Sequence, residues 1–277
     1  QRIMSKTSAY IDGLGLIGPG FANWPQAVQV LSGAQTYVHA SAAIPAPAAL
    51  PSAERRRTSA PVRLALAIGF EAAQASGRDA AELNTVFTAS GGDGENCHAI
   101  CETLAGDERE ISPTRFHNSV HNAPAGYWSI AAHAMTSSNV LCAYDGSFCA
   151  GLLDSLCAVS VDAQDSLLIA FDAEYPEPLR GVRPTAGAFG VALVLAPRKS
   201  ARTVARIDVE LTDAPATQLA SPELEALRLG NPTARALPLL EALAAMRART
   251  VVLDYLDDLR LRVDVVPADV PNAPMPQ

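Results

Sequence analysis

Aromatic residues are scarce in this chain, only 5% of 277 residues, although apolar residues make up 49%. A core with so few rings has to be built mainly from Ala, Val and Leu, which suits helices packed tightly on a sheet. Histidine stops at His133, with all five at or before that position. Nothing downstream can therefore supply an imidazole base. No apolar stretch reaches the roughly 18 residues that a membrane span requires. The net charge is −8, and the sole basic block is Glu54-Arg-Arg-Arg57. Binding to a phosphate backbone needs a clustered positive surface, so a nucleic-acid partner is excluded and Arg55 to Arg57 read as the solvated start of a helix. The first residues hold no apolar core of the secretory kind. Five cysteines, an odd number, then predict reduced thiols and a cytoplasmic location. Gln1-Arg-Ile is expected to be an expression remnant before a start at Met4, making residues 1–7 a lead.

What is present reads as alternating strands and helices. Strands are expected at Ser8 to Ile11, Thr85 to Ala89, Val140 to Ala143, Ser166 to Phe171 and Gly187 to Ala196. Helices are expected at Asn23 to Leu31, Pro61 to Ala75, Asn96 to Leu104, Ala125 to Met135 and Ser147 to Val159. Residues 34–60, rich in Ala and Pro, read as an irregular excursion, and Ile111 to Asn122 as extended and polar. The segment Ala188-Phe-Gly-Val-Ala-Leu-Val-Leu195 is too continuously apolar to have a wet face. Such a pattern implies an α/β fold, a mostly parallel sheet covered on both faces. Beyond Ala196 it thins to strands at Thr203 to Leu211 and Thr250 to Tyr255, with helices at Glu223 to Leu229 and Ala234 to Arg247. Leu259 to Val266 alternates like an edge or exposed strand, and residues 267–277 read as a loose tail.

Five places invite a chemical reading. Gly13-Leu-Gly-Leu-Ile-Gly18 matches the dinucleotide fingerprint as a string, but Pro19 and Gly20 prevent a helix from opening where the pyrophosphate needs one. A tight turn is the expectation there, as it is for Gly91-Gly-Asp-Gly94, which lacks the Lys-Ser/Thr of a phosphate loop. Cys97, His98 and Cys101 lack a second ligand pair at metal-finger spacing, so no metal is expected and the cysteines read as small apolar residues in a packed helix. His117 and His121 are dense with hydrogen-bonding neighbours, and a cysteine–histidine enzyme would need Cys142, Cys149 or Cys157 within reach. No residue visibly lowers a thiol pKa, and Cys149 and Cys157 read as buried. Cys142 to Asp154 reads as a strand, a sharp turn and a buried helix, the layout of a nucleophile elbow. Asp145 stands where the nucleophile belongs, and a carboxylate there also suits a helix cap.

Taken in order, these segments resemble the β-ketoacyl synthase family of the thiolase superfamily. Ile11-Asp-Gly-Leu-Gly-Leu-Ile-Gly-Pro-Gly20 is similar to its opening strand and turn, and Glu54 to Ala67 to its first long helix. Thr88-Ala-Ser-Gly-Gly-Asp-Gly94, Phe116 to Gly126, Cys142 to Asp154 and Arg183-Pro-Thr-Ala-Gly-Ala-Phe-Gly190 follow in the family's sequence of motifs. The resemblance implies a thiolase-like fold with a ketosynthase-like N-terminal domain over residues 8–196 and a reduced second half over 197–266. The family's Ala-Cys-x-Ser elbow reads Tyr144-Asp145-Gly146-Ser147 here, and its catalytic histidines have no counterpart.

The chain therefore resembles truncated, chain-length-factor-like subunits of aryl polyene pathways, which implies no catalytic residue and no cofactor of its own. The implied partner is a catalytic β-ketoacyl synthase subunit, with an acyl carrier protein and its acyl chain as further contacts. By the same resemblance, Phe116, His117, Asn118, Val120, His121, Asn122, Tyr127 and Trp128 face that partner. Tyr144, Asp145, Phe148 and Leu152 shape the tunnel for the growing chain. Two alternatives stay open: an independent acyltransferase, hydrolase or synthase using a cysteine with His117 or His121, and a pure scaffold subunit.

Overall fold

The computed structural model describes residues 6–107 and 109–268. The expected remnant Gln1-Arg-Ile and residues 269–277 of the expected tail lie outside the described residues. In chain order the elements are β1 (Thr7–Ile17), α1 (Trp24–Leu31), α2 (Ser52–Arg55), α3 (Ala60–Ser76), β2 (Asn84–Thr88), α4 (Gly94–Ala105), α5 (Pro113–His117), α6 (Ala123–Ala132) and β3 (Ser138–Leu141). There follow α7 (Ser147–Val161), β4 (Ser166–Asp172), α8 (Leu179–Val182), β5 (Phe189–Ala196), β6 (Ala205–Thr212), α9 (Pro222–Gly230), α10 (Leu237–Ala244), β7 (Arg249–Asp254) and β8 (Arg260–Pro267).

Eight strands form one sheet in the order β3-β2-β4-β5-β1-β6-β8-β7. Only β2 runs parallel to its neighbours, β3 and β4; every other pairing is antiparallel. The expected mostly parallel sheet is thus confined to one end, because strands from later in the chain flank β1 on both sides. Both faces of β4 and β5 are fully covered, as their unbroken apolar runs predict. One core cluster gathers Leu14, Leu152, Leu193, Ile207, Leu240 and Val263, and another gathers Ile68, Phe87, Trp128, Ile169 and Val194. The first draws on residues from both sides of Ala196, so the segment expected to form a separate second half shares a core with the rest.

The string Gly13-Leu-Gly-Leu-Ile-Gly18 is not the expected turn. Its first five residues lie inside β1, and the reason is α3. A Cβ on Gly13 would sit 2.1 Å from the Ala72 carbonyl oxygen, and one on Gly15 2.1 Å from that of Ile68. Two glycines let the α3 backbone lie directly on the strand. The turn comes next, where Gly18 and Phe21 exchange backbone hydrogen bonds of 3.0 and 2.9 Å. Helix α3 starts with Pro61 in its first turn and ends at Gly77, whose φ of 72° is the left-handed stop.

Three further expectations need correction. Ile111 to Asn122 is not extended throughout, because Pro113 starts the short helix α5. Strand β8 is interior rather than an edge, flanked by β6 and β7; its alternation reflects a sheet covered on one face only. The sheet also runs to Pro267, one residue into the expected tail. Among the described residues, no helix is long and apolar enough to cross a membrane.

Candidate functional site

Strand β3 delivers the chain to a 3-10 turn, Tyr144–Gly146, from which α7 begins at Ser147. The turn is strained at Tyr144, whose φ is 51°, one position before Asp145. Gly146 is needed for a different reason: a Cβ there would lie 2.4 Å from the Tyr255 carbonyl oxygen. Ser147 Oγ accepts from the Ala143 N–H at 3.0 Å and reaches the Tyr144 carbonyl at 2.7 Å, tying the turn to the helix.

Asp145 does not cap α7. Its carboxylate accepts from Arg183 Nη2 at 2.7 Å and from Arg235 Nη2 at 2.9 Å. The Arg183 guanidinium also lies 3.7 Å from the centre of the Tyr144 ring, within cation–π range. A carboxylate held between two arginines is a fixed anion rather than a free reagent. Sequence reading missed both arginines. Arg235 is 90 residues from Asp145, beyond any local spacing, and Arg183 sits in a segment read only as one of the family's motifs.

The thiols are not arranged for attack. Cys149, in the first turn of α7, is 1% exposed and donates to the Asp254 carbonyl at 3.2 Å. Burial, with Asp254 beside it, pushes this thiol far above its ordinary value. Cys142 is exposed and donates to the Ser90 carbonyl at 3.3 Å. Cys97, Cys101 and Cys157 are exposed, contrary to the reading of packed or buried thiols. The physical reason is that α4 buries only Asn96 and α7 turns Cys157 outward. His117 stands edge-on to Tyr127, ring centres 6.3 Å apart, and His121 Nε2 is buried without a hydrogen-bond partner. Among the described residues, neither histidine bonds a cysteine, and no group of three His, Cys, Asp or Glu could hold a metal.

The two groups of expected site residues divide by exposure. Phe116 and Val120 are 69% and 52% exposed, and His117 and Asn122 are exposed beside them. Tyr127 and Trp128, expected to face a partner, are 2% and 1% exposed and belong to this chain's own core. Trp128 stacks on Phe70 at 4.7 Å, while the Tyr127 hydroxyl donates to Asn118 Oδ1 at 3.1 Å. Asn118, also buried, donates to the Arg57 carbonyl at 2.8 Å. Of the expected tunnel residues, Tyr144 is 61% exposed, whereas Phe148 and Leu152 are sealed in the main core. The large cavity, about 860 Å³, lies elsewhere, between the start of α3, residues 92–96 and α5. None of Tyr144, Asp145, Phe148 and Leu152 lines it.

Behind the elbow, Asp172 is buried and accepts from the Ser90 N–H (2.9 Å), Ser90 Oγ (2.6 Å) and Thr233 Oγ1 (2.7 Å). Burial raises its pKa against the pull of those donors. The carboxylate joins the turn after β2 to the segment leading into α10.

Three solved complexes share this architecture. A ketosynthase (ApeO) in complex with its chain length factor (ApeC) from Xenorhabdus doucetiae matches with a TM-score of 0.71 at 22% identity, over 93% of this chain and 99% of the other. The ishigamide ketosynthase/chain length factor matches at 0.69 and 16%, over 94% and 99%. The AntDE:AntF complex, a type II polyketide synthase acyl-carrier protein with its ketosynthase bound to the hexaketide, matches at 0.72 and 12%, over 95% and 100%. In each case the matched chain is therefore of about this chain's length. No curated protein matches the sequence. The family model for the β-ketoacyl synthase N-terminal domain covers residues 24–251, most of the chain. With a thiolase-like fold, an elbow ahead of a buried helix and that match, the chain belongs to the β-ketoacyl synthase family.

Proposed function

We propose that this chain is a non-catalytic, chain-length-factor-like subunit that pairs with a catalytic β-ketoacyl synthase in aryl polyene or type II polyketide-like biosynthesis. The observation that carries the reading is the elbow. Condensation of acyl thioesters needs a thiolate nucleophile and an imidazole. Here the strained residue is a tyrosine, the next is an aspartate clamped by two arginines, and the Cys149 thiol in the first turn of α7 is buried and protonated. The partner supplies the cysteine and the histidines. The named complexes, each a ketosynthase with a chain length factor or a carrier protein, support this pairing, and a carrier protein brings the acyl chain to the pair.

Exposed Phe116 and Val120, with His117, His121 and Asn122, form this chain's side of the interface. Tyr144 is the residue set to meet the growing chain, and Phe148 and Leu152 hold the elbow from beneath. The test is the native mass of the protein purified gently from its source cell. A one-to-one complex with a synthase carrying an intact Cys-His-His set is expected. An acyl adduct on a cysteine of the isolated chain would overturn the reading in favour of an independent enzyme. The burial of Phe148 and Leu152 favours a second reading, a pure scaffold. In that case Tyr144→Ala changes product yield and leaves product length as it was, whereas the first reading expects longer products.

A further inference from the structure

We propose that the cavity at the start of α3 binds a small organic anion, a phosphate or carboxylate whose remainder carries a hydrogen-bond donor. Its volume, about 860 Å³, is that of a small-molecule site. Four arginines line it: Arg56, Arg57, Arg63 and Arg115. Arg57 pairs with Glu54 at 3.1 Å. Among the described residues the other three have no carboxylate partner, unlike Arg78, Arg183, Arg228 and Arg235. Arg63 Nε is moreover buried without a hydrogen bond. A buried charged donor without an acceptor is costly, and an oxyanion in the cavity supplies one.

The backbone points to the same place independently. Ser59, the residue capping α3, makes no side-chain cap bond, and its Oγ is also buried without a partner. The first turn of this 17-residue helix carries N–H groups without intrahelical acceptors and the positive end of the helix dipole. Asp93 adds the second requirement. Its Oδ1 accepts from the Asn96 N–H at 3.0 Å, while Oδ2 is buried and unbonded on the cavity wall. A bare anion would be repelled there, but a hydroxyl or amine on the same ligand would donate to it. Glu95 and Glu174, the other acidic lining residues, are exposed, where water screens them. This site does not depend on the pairing proposed above.

Isothermal titration of the full chain with inorganic phosphate and with glycerol 3-phosphate, at ionic strength matched by chloride, tests the proposal. Both ligands bind saturably, glycerol 3-phosphate several-fold more tightly. Arg63→Gln weakens both by about tenfold or more, Arg63→Lys recovers part of the loss, and exposed Arg202→Gln changes neither. Asp93→Asn, still an able helix cap, abolishes the preference for glycerol 3-phosphate without weakening phosphate. Circular dichroism confirms that each variant is folded. The absence of saturable heat, or equal affinities for the wild type and Arg63→Gln, would overturn the site. So would loss of phosphate binding once a synthase subunit is bound, because the partner's own side chains would then be the occupant.

Discussion

Asp145 and Trp128 show how a single side chain's surroundings decide its role. The Asp145 carboxylate joins Arg183 to Arg235 beside an exposed Tyr144, so its removal leaves two partly buried guanidiniums without their acceptor. Asp145→Ala is expected to lower stability by about 1–3 kcal/mol, read as an earlier urea midpoint; an unchanged midpoint would reduce the clamp to a surface pair. Trp128 lies against Phe70, Phe87 and the bare backbone of Gly69. Trp128→Ala should cost about 3–5 kcal/mol by the same measurement, for a core residue losing a large ring. The departure of the elbow from Ala-Cys-x-Ser is legible in four consecutive letters. What holds the substitute in place is not, because its partners come from residues 183 and 235. Burial of Tyr127 and Trp128 was equally hidden: the letters show amphipathic aromatics, and only the packing of α6 on α3 shows which way they turn.

Helices and strands were easier to read than the contacts between them. The apolar runs of β4 and β5 announce themselves locally, whereas the cap that Asp145 suggested for α7 is not made. The glycines of β1 do not, because the helix that requires them lies some fifty residues downstream. Gly13→Ala is expected to fail on this ground, since its Cβ meets backbone rather than a movable side chain. The loss should exceed the roughly 1–3 kcal/mol typical of overpacking and appear as a large fall in Tm or as insoluble protein. The join between α9 and β7 carries a pH signature. Arg228 bonds Glu225 and Asp254, and it holds the Glu225 carboxyl below its ordinary 4.5. A depressed acid stabilises the fold at neutral pH, and that contribution is lost as pH falls through the range below 4.5. Asp172 acts in the opposite sense: burial raises its pKa, so its protonation favours the fold as pH falls. Chemical unfolding across acid pH should therefore show Glu225→Gln reducing the acid loss of stability relative to the wild type.

For the molecule as a whole, the division between surface and core sets what a partner can touch. Phe116→Ser and Val120→Ser should leave the unfolding midpoint of the isolated chain within about 0.5 kcal/mol while weakening its complex with a synthase. Native mass spectrometry of the co-expressed pair reads the second effect directly. The position of β1 at the centre of the sheet has a further consequence, for synthesis. One side of β1 pairs with β5 and the other with β6, which begins at Ala205. During translation the strand keeps an open edge until residues 205–212 have left the ribosome, and an open apolar edge invites pairing with other chains. A nascent chain arrested before Ala205 is expected to need a chaperone, and one released past Pro267 to close its own sheet.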